Sequence, residues 1–196
     1  ITTPYDRSTG ASRSTTVAGL AVQRAAERLR DKIAAAAEGE PDLAPLAGEG
    51  TAEELGGGSG PALFWEVCVA GAEVDVDPQT GRIDVREVVT VADVGRAINP
   101  SLVERQDEGC TLQVVGNALF EEMLFDRDGV LRNGSLVDYR IPAVSDMPAR
   151  MTCVIVENGD GPGPFGAKGA GEGGILAIAA AVGAAINEAA GTAIRD

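Results

Sequence analysis

The segment from Pro164 to Gly174 is dominated by glycine and carries one carboxylate, Glu172, directly before an apolar run. Glycine adopts backbone conformations that other residues avoid, and it lets the chain approach a ligand closely. The apolar run predicts a helix that ends at Gly191, since its large side chains recur at helical spacing: Ile175, Ile178, Val182 and Ile186. Taken alone, Glu172 fits a helix-start acid and an acid/base group equally well.

Composition narrows the classes of function. The 196 residues carry a formal net charge of -14, which argues against nucleic-acid or anionic-membrane binding. The chain has no histidine, and its three cysteines form no C-x-x-C pair. This excludes Ser-His-Asp and Cys-His catalysis and the usual zinc sites, and it favours reduced thiols in the cytoplasm. No apolar run reaches the roughly 18 residues of a membrane span.

Helices and strands are interspersed without internal repeats, which predicts an α+β fold. Helical spacing predicts a helix from Ser14 to Ala37, with Ser14 or Thr15 as the N-cap. Asn99-Pro100 predicts the start of another helix that runs to about Met123. Because the chain opens with Ile1 rather than Met, we expect it to be a segment of a longer protein.

Alternating apolar residues predict the strands, and turn-forming residues predict the loops between them. Apolar alternation predicts a strand within Leu63 to Val76, and Pro78 to Gly81 predicts a turn. Ile83 to Val91 is the predicted return strand, and Met151 to Glu157 is another. Residues 38–61 are rich in Gly, Pro and acidic side chains, which predicts a long loop.

Other candidate positions have ordinary explanations as well as functional ones. The loop from Ser8 to Ser14 would suit a phosphate or a pterin edge, but an N-cap cluster explains it too. Gln106 shares a predicted helix face with Val103, Cys110 and Val114, so its amide is expected to point inward, as a satisfied core group or as a ligand contact.

The acidic side chains fit a solvated face better than a metal site or a glycosidase pair, since they lack the spacing of a calcium loop; they are Asp93, Asp107, Glu108, Glu121 and Glu122. The segment around Lys168 resembles a phosphate-binding loop only superficially, because no Gly-Lys-Ser/Thr ending is present. A nucleotide-binding domain therefore stays a weak alternative.

Five blocks, in order, resemble the molybdenum hydroxylases, the xanthine dehydrogenase and aldehyde oxidase family. The first block is Gly166 to Gly174, which is similar to the active-site loop of that family. The second is similar to the family's D-V-G-x-x-I-N-P…G-Q-x-E-G block and consists of Asp93 to Pro100 with Gln106 and Glu108-Gly109. The other three blocks are Val76 to Gly81 (V-D-P-x-T-G), Asp138 to Pro142 (D-Y-x-I-P) and Thr9 to Thr15 (T-A-A-S-R-S-T). The resemblance covers nearly the whole chain apart from 38–61.

The resemblance implies that residues 1–196 are the C-terminal cofactor-binding region of the molybdenum subunit, either a fragment or a split-gene subunit. Molybdenum would be held by a molybdopterin dithiolene, in the cytosine dinucleotide form, with no side-chain ligand. The N-terminal half of the subunit, a small-molecule substrate, and partner domains or subunits with [2Fe-2S] clusters and FAD are implied as partners. Three scattered cysteines cannot supply a four-thiolate cluster site.

The resemblance also implies residue roles. Glu172 matches the general base toward Mo–OH during oxygen insertion at an electron-poor carbon of an N-heterocycle or aldehyde, and a dry pocket would raise its pKa. Ala11 would place backbone beside the metal. The implied cofactor contacts are Gln106, Ser12, Arg13, Ser14, Lys168, Gly169, Ala170 and Gly171.

Two departures from the family pattern weaken the Gln106 assignment. Arg105 replaces the glycine that usually precedes the matching glutamine, and Cys110 replaces the second residue of the next Gly-Gly. The isolated chain is expected to show no turnover, because its pocket would lack a wall. A non-catalytic scaffold lobe is the alternative function, and the substrate, electron acceptor and oligomeric state do not follow from these residues.

Overall fold

A computed structural model describes residues 9–36 and 64–193. The long loop predicted over 38–61 lies outside the described residues. The chain forms two compact units. The first unit comprises Ile1–Glu66, Asp93–Ile98 and Val156–Gly171, and the second comprises Val67–Ala92, Asn99–Ile155 and Glu172–Asp196. Strands and helices are interspersed along the chain, so the predicted α+β class is confirmed.

A three-stranded sheet has the order β1–β2–β3, formed by β1 (Cys68–Val76), β2 (Ile83–Asp93) and β3 (Arg150–Val156). The predicted hairpin is confirmed, since β1 and β2 pair antiparallel, with a register shift between Glu73 and Val74. Asp77 closes the turn: its carboxylate accepts hydrogen bonds from the Gln79 amide at 2.8 Å and the Thr80 hydroxyl at 2.7 Å.

Helices α2 (Pro100–Leu119) and α3 (Ile175–Ala190) complete the second unit. Asn99 is the N-cap of α2, as predicted: its side-chain oxygen accepts a hydrogen bond from the Leu102 amide. The helix ends at Leu119, before the predicted Met123. Gly191 ends α3 in the left-handed conformation with φ 63°, again as predicted.

The core of the second unit lies where α3 packs against β1 and α2. Aliphatic side chains fill it: Val85, Val88, Val114, Val115, Ile178, Val182 and Ile186. Burial of such side chains contributes about 1.5–3 kcal/mol each to folding. The apolar residues whose spacing predicted α3 are therefore the residues that pack in this core.

In the first unit, a π-helical turn (Thr15–Gly19) leads into helix α1 (Leu20–Ala36). Ser14 is the N-cap residue, one of the two predicted, but its side chain makes no capping hydrogen bond, and Thr15 lies inside the turn. The carbonyl of Arg13 instead accepts hydrogen bonds from the Val17 amide at 2.9 Å and the Thr16 hydroxyl at 3.0 Å. Within residues 9–36 and 64–193, every helix is too short or too polar to cross a bilayer.

Candidate functional site

In the first unit, Ser12 of the opening loop (residues 9–14) lies directly against Gly169 and Gly171 of the glycine-rich loop (residues 164–174). The Gly171 amide donates a hydrogen bond to the Ser12 hydroxyl at 3.2 Å. A Cβ atom added at Gly169 would lie 2.6 Å from Cβ of Ser12 and 2.7 Å from its carbonyl oxygen. No side chain fits there, so glycine is required for this close approach of two backbones. Two segments of the predicted site are thereby brought together.

The backbone on the Ser12 side of this contact is strained. Ala11 and Ser12 have φ values of 51° and 53°, a left-handed conformation that L-residues with a Cβ rarely adopt. Such conformations cost about 1–3 kcal/mol each and concentrate at ligand sites. The Arg13 amide closes the turn by donating to the Gly10 carbonyl at 3.3 Å. Ser14 is exposed, and its hydroxyl donates to the Thr9 hydroxyl at 3.5 Å.

Lys168 is a buried cation that joins the glycine-rich loop to the rest of the first unit. Its Nζ lies 2.7 Å from Oδ2 of Asp93 and 2.8 Å from Oδ1 of Asp160. Its backbone N–H donates to the Val94 carbonyl at 2.9 Å. Hydrogen bonds to Asp160 and Asp93 raise the pKa of Lys168 above its ordinary value. The ammonium is therefore a structural cation that pairs with both carboxylates.

Asp93 is the centre of this ion-pair network. Partial burial alone would raise the pKa of its carboxyl, but hydrogen bonds from Lys168, the Gly95 amide and Asn158 outweigh that effect and lower the pKa. Asn158 Nδ2 donates to Oδ2 of Asp93 at 3.0 Å. Gly95 has φ 64°, and a Cβ there would overlap the Gly166 carbonyl oxygen. Segments 93–97, 156–160 and 166–168 are thus locked together.

In the second unit, Glu172 lies just before α3 but does not cap it. The N-cap of α3 is Gly174, and the first turn of the helix holds no acidic residue. The Glu172 carbonyl accepts a hydrogen bond from the Ile175 amide at 3.1 Å, while the side chain is exposed. The helix-start interpretation of this carboxylate is therefore wrong. The described residues do not enclose Glu172 in a dry pocket.

The prediction that Gln106 points inward is wrong. Gln106 is exposed, and its Nε2 lies 3.9 Å from Sγ of Cys110 one turn later on α2. The buried residue is its neighbour Asp107, which is only 6% exposed. Each residue of a helix is rotated by about 100° from the last, and the buried face of α2 is centred on Asp107, Thr111 and Val114 rather than on Gln106. Helical spacing correctly placed Gln106 on α2 but gave the wrong orientation for its side chain.

The expected solvated acidic face is also wrong for three of its five members. Asp93 is paired with Lys168, Asp107 is buried, and Glu121 accepts a hydrogen bond from the Tyr139 hydroxyl at 2.7 Å. Glu108 and Glu122 are exposed, as predicted. Among residues 9–36 and 64–193, no three side chains of the His, Cys, Asp or Glu type converge as a metal site would require.

Sequence reasoning missed Asp160 and Asn158, which hold Lys168 and Asp93. Both lie in the polar run after β3, where composition alone indicates an ordinary loop. A charged residue inside a glycine-rich segment, as Lys168 is, must either reach solvent or find counter-charges. That requirement is the one sequence signal that could have prompted a search for acidic partners.

Comparison with known proteins identifies the family of this chain. A family model described as a molybdopterin cofactor-binding domain matches residues 1–55 and 44–148. The probable hypoxanthine oxidase XdhD of Escherichia coli K12 is 31% identical over 98% of this chain and 23% of its own length. Subunit gamma of the 6-hydroxypseudooxynicotine dehydrogenase complex of Paenarthrobacter nicotinovorans is 37% identical over 65% of this chain and 16% of its own length.

The solved structure of aldehyde oxidoreductase from Desulfovibrio gigas superposes with a TM-score of 0.70 at 27% identity, covering 95% of this chain and 22% of that one. The chain thus spans less than a quarter of the length of these relatives. The resemblance drawn from the five sequence blocks is confirmed. The chain belongs to the xanthine dehydrogenase and aldehyde oxidase family of molybdenum hydroxylases, and it corresponds to a C-terminal part of the molybdenum-binding subunit.

Proposed function

We propose that this chain supplies part of the molybdenum-cofactor site of a hydroxylase that inserts water-derived oxygen at an electron-poor carbon of an N-heterocycle or an aldehyde. The contact of Ser12 with Gly169 and Gly171 carries the proposal. It joins two of the sequence blocks on which the family resemblance depends. The relatives named for hypoxanthine, a hydroxylated nicotine derivative and aldehydes support the substrate classes.

The residues of the first unit fit a molybdopterin. A pterin-dinucleotide is flat and carries phosphates, so it suits backbone N–H groups, hydroxyls and a cation. The Ala11–Ser12 turn and the Gly169–Gly171 backbone meet without bulky side chains, which would let such a ligand approach the backbone. Ser12, Arg13 and Ser14 would hold the dinucleotide, here proposed as the cytosine form. When bound, the cofactor supplies the metal, the oxygen to be transferred and the acceptor of two electrons.

Lys168 has a different part in this proposal from the other members of the loop. Because its ammonium pairs with Asp93 and Asp160, Lys168 would hold the loop in place rather than contact the cofactor through its charge. Gly169, Ala170 and Gly171 would then face the cofactor through their backbone. The family resemblance also assigns a cofactor contact to Gln106, which is exposed on α2.

Glu172 is the proposed general base. Its exposed carboxylate follows Gly171 directly in the chain, and it would accept at an Oε atom the proton released as oxygen attacks the substrate carbon. A positioned base contributes about 10²–10⁴ in rate. The exposure of Glu172 supports the view that other polypeptide must exclude water around it, so the isolated chain is proposed to be inactive.

The electron path lies elsewhere in the enzyme. The chain has three cysteines, and a [2Fe-2S] cluster needs four thiolates. We propose that [2Fe-2S] and FAD are carried by partner domains or subunits, and that the N-terminal half of the molybdenum subunit completes the site. The complex and subunit terms in the names of relatives support a multisubunit enzyme.

The test is Glu172→Gln in the assembled enzyme that contains this chain, with Glu188→Gln as a control on the exposed surface of α3. The Glu172 variant should keep its molybdenum and pterin fluorescence but lose about 10²–10⁴ in turnover. The control should match the wild type in both. Near-normal turnover of Glu172→Gln would refute the base assignment. An assembled wild type without molybdenum or pterin would instead support the scaffold alternative.

A further inference from the structure

Asp107 of the second unit is a buried carboxylate that the proposed reaction does not use. It lies on α2 directly after Gln106 and is 6% exposed. The Thr90 hydroxyl of β2 donates a hydrogen bond to its Oδ2. A buried carboxylate must be hydrogen-bonded to be tolerated. Asp107 falls at the variable position x of the family's G-Q-x-E-G pattern, so the family pattern gives it no role.

The neighbour on β3 is Cys153. Burial, followed by a hydrogen bond to Asp107, raises the pKa of the Cys153 thiol to about 12. The thiol therefore stays protonated near neutral pH, and it remains a weak donor toward the carboxylate. The hydrogen bond from Thr90 thus fixes this turn of α2 on β2, beside Cys153 of β3.

The other oxygen of Asp107 lies against the start of α3. A Cβ atom added at Gly174 would overlap Oδ1 of Asp107 and lie 3.1 Å from Cβ of Cys110. Gly174 is the N-cap of α3 and follows Glu172 by two residues. The positive end of the helix dipole favours a carboxylate at this place. Asp107 therefore contacts the turn that carries Glu172 while its own helix carries Gln106.

We propose that Asp107 is a positioning residue: its buried carboxylate, held by Thr90 and packed against Gly174, sets the distance between the α2 turn of Gln106 and the α3 turn of Glu172. This inference depends on the proposed function only in assigning Gln106 and Glu172 to the site. The contacts themselves lie within one compact unit. Misplacement of a reacting group by about 1 Å can cost on the order of 10²-fold in rate.

The experiment compares Asp107→Ala with Asp107→Asn in the assembled enzyme, and uses Glu104→Gln as a control of equal charge change on the exposed side of α2. Asp107→Ala should lower kcat by roughly 10- to 100-fold, with KM and molybdenum content nearly unchanged. Asp107→Asn should restore much of kcat, because the single side-chain oxygen of asparagine can take the place of Oδ2 and accept the hydrogen bond from Thr90. Amide hydrogen exchange of residues 172–176 should accelerate in Asp107→Ala and stay at the wild-type rate in Glu104→Gln.

Addition of Thr90→Val to Asp107→Ala should cause little further loss, since both changes remove the same contact. Wild-type kcat together with wild-type exchange in Asp107→Ala would overturn the inference. If Glu172→Gln keeps its turnover while Asp107→Ala accelerates exchange at 172–176, the proposed base fails but the structural contact stands. If Glu172→Gln is inactive and Asp107→Ala is normal in both readouts, only the positioning role fails.

Discussion

Nζ of Lys168 lies 2.7 Å from Oδ2 of Asp93, although the two residues are 75 positions apart in the chain. This ion pair joins the end of β2 to the glycine-rich loop inside the first unit. Asp160 and Asn158 complete it from a third segment. The loop that precedes Glu172 is thus anchored by charges, whereas its glycines only permit its shape.

Removal of the cation should destabilise the protein. Lys168→Met keeps the length of the side chain but leaves the half-buried Asp93 carboxylate without its cation. We expect the free energy of unfolding to fall by about 1–3 kcal/mol, measured by urea denaturation. Lys32→Met, on the exposed surface of α1, is the matched control and should change it by less than about 0.5 kcal/mol. Equal effects of the two substitutions would contradict the assignment.

The same pair should make stability depend on pH at both extremes. The folded pKa of Asp93 lies below its ordinary value of 3.8, so its contribution is present above that value and disappears as the pH falls through the folded pKa. The folded pKa of Lys168 lies above 10.5, so its contribution is present below that value and disappears as the pH rises further.

The stability advantage of the wild type over Asp93→Asn should therefore be constant between about pH 5 and pH 9 and shrink outside that range. Urea denaturation of both proteins at a series of pH values measures it. An advantage that stays constant down to about pH 2 would mean that the carboxylate of Asp93 is not the group responsible.

A side chain at Gly169 should disturb the contact between Ser12 and the Gly169–Gly171 backbone, which is the proposed cofactor site. Gly169→Ala places a Cβ atom 2.6 Å from Cβ of Ser12, so the Ser12 turn must move. We expect the assembled enzyme to bind several-fold less molybdenum, measured by elemental analysis. Gly183→Ala is the control: a Cβ there meets nothing within 4 Å, and alanine inside α3 should stabilise the helix by about 0.5–1 kcal/mol. Full molybdenum content in Gly169→Ala would show that the contact is dispensable.

Cys153 should be an unreactive thiol. With a pKa of about 12, it holds almost no thiolate near neutral pH, and the thiolate is the nucleophile. Alkylation of Cys153 by iodoacetamide, followed by peptide mass spectrometry, should be slow at pH 8 and rise toward pH 12. Asp107→Asn removes a hydrogen bond and a charge that raise this pKa, so it should accelerate alkylation at pH 8. Glu104→Gln should have a smaller effect, and equal acceleration would show that Asp107 is not the main charged neighbour.

The elements that sequence patterns predicted correctly depend on short-range interactions. The Asn99 cap and the Gly191 end each involve residues within about one helical turn. The hairpin around Pro78 to Gly81 depends on the Asp77 carboxylate, which bonds to residues two and three positions later. Such contacts are encoded next to each other in the chain. Ser14 is the N-cap of the π-helical turn that precedes α1, as predicted, but local spacing did not show that its side chain makes no capping hydrogen bond.

The sequence by itself determined the α+β class, the family, and the glycines at 169 and 171 that allow two backbones to meet. Only the tertiary structure decided that Asp107 rather than Gln106 is buried, that Lys168 pairs with Asp93 and Asp160, and that Glu172 is not a helix cap. The physical reason is that charge pairing and helix rotation are set by segments distant in the chain, which no local pattern records. The glycine-rich loop was visible in the sequence, but the residues that hold it in place were not.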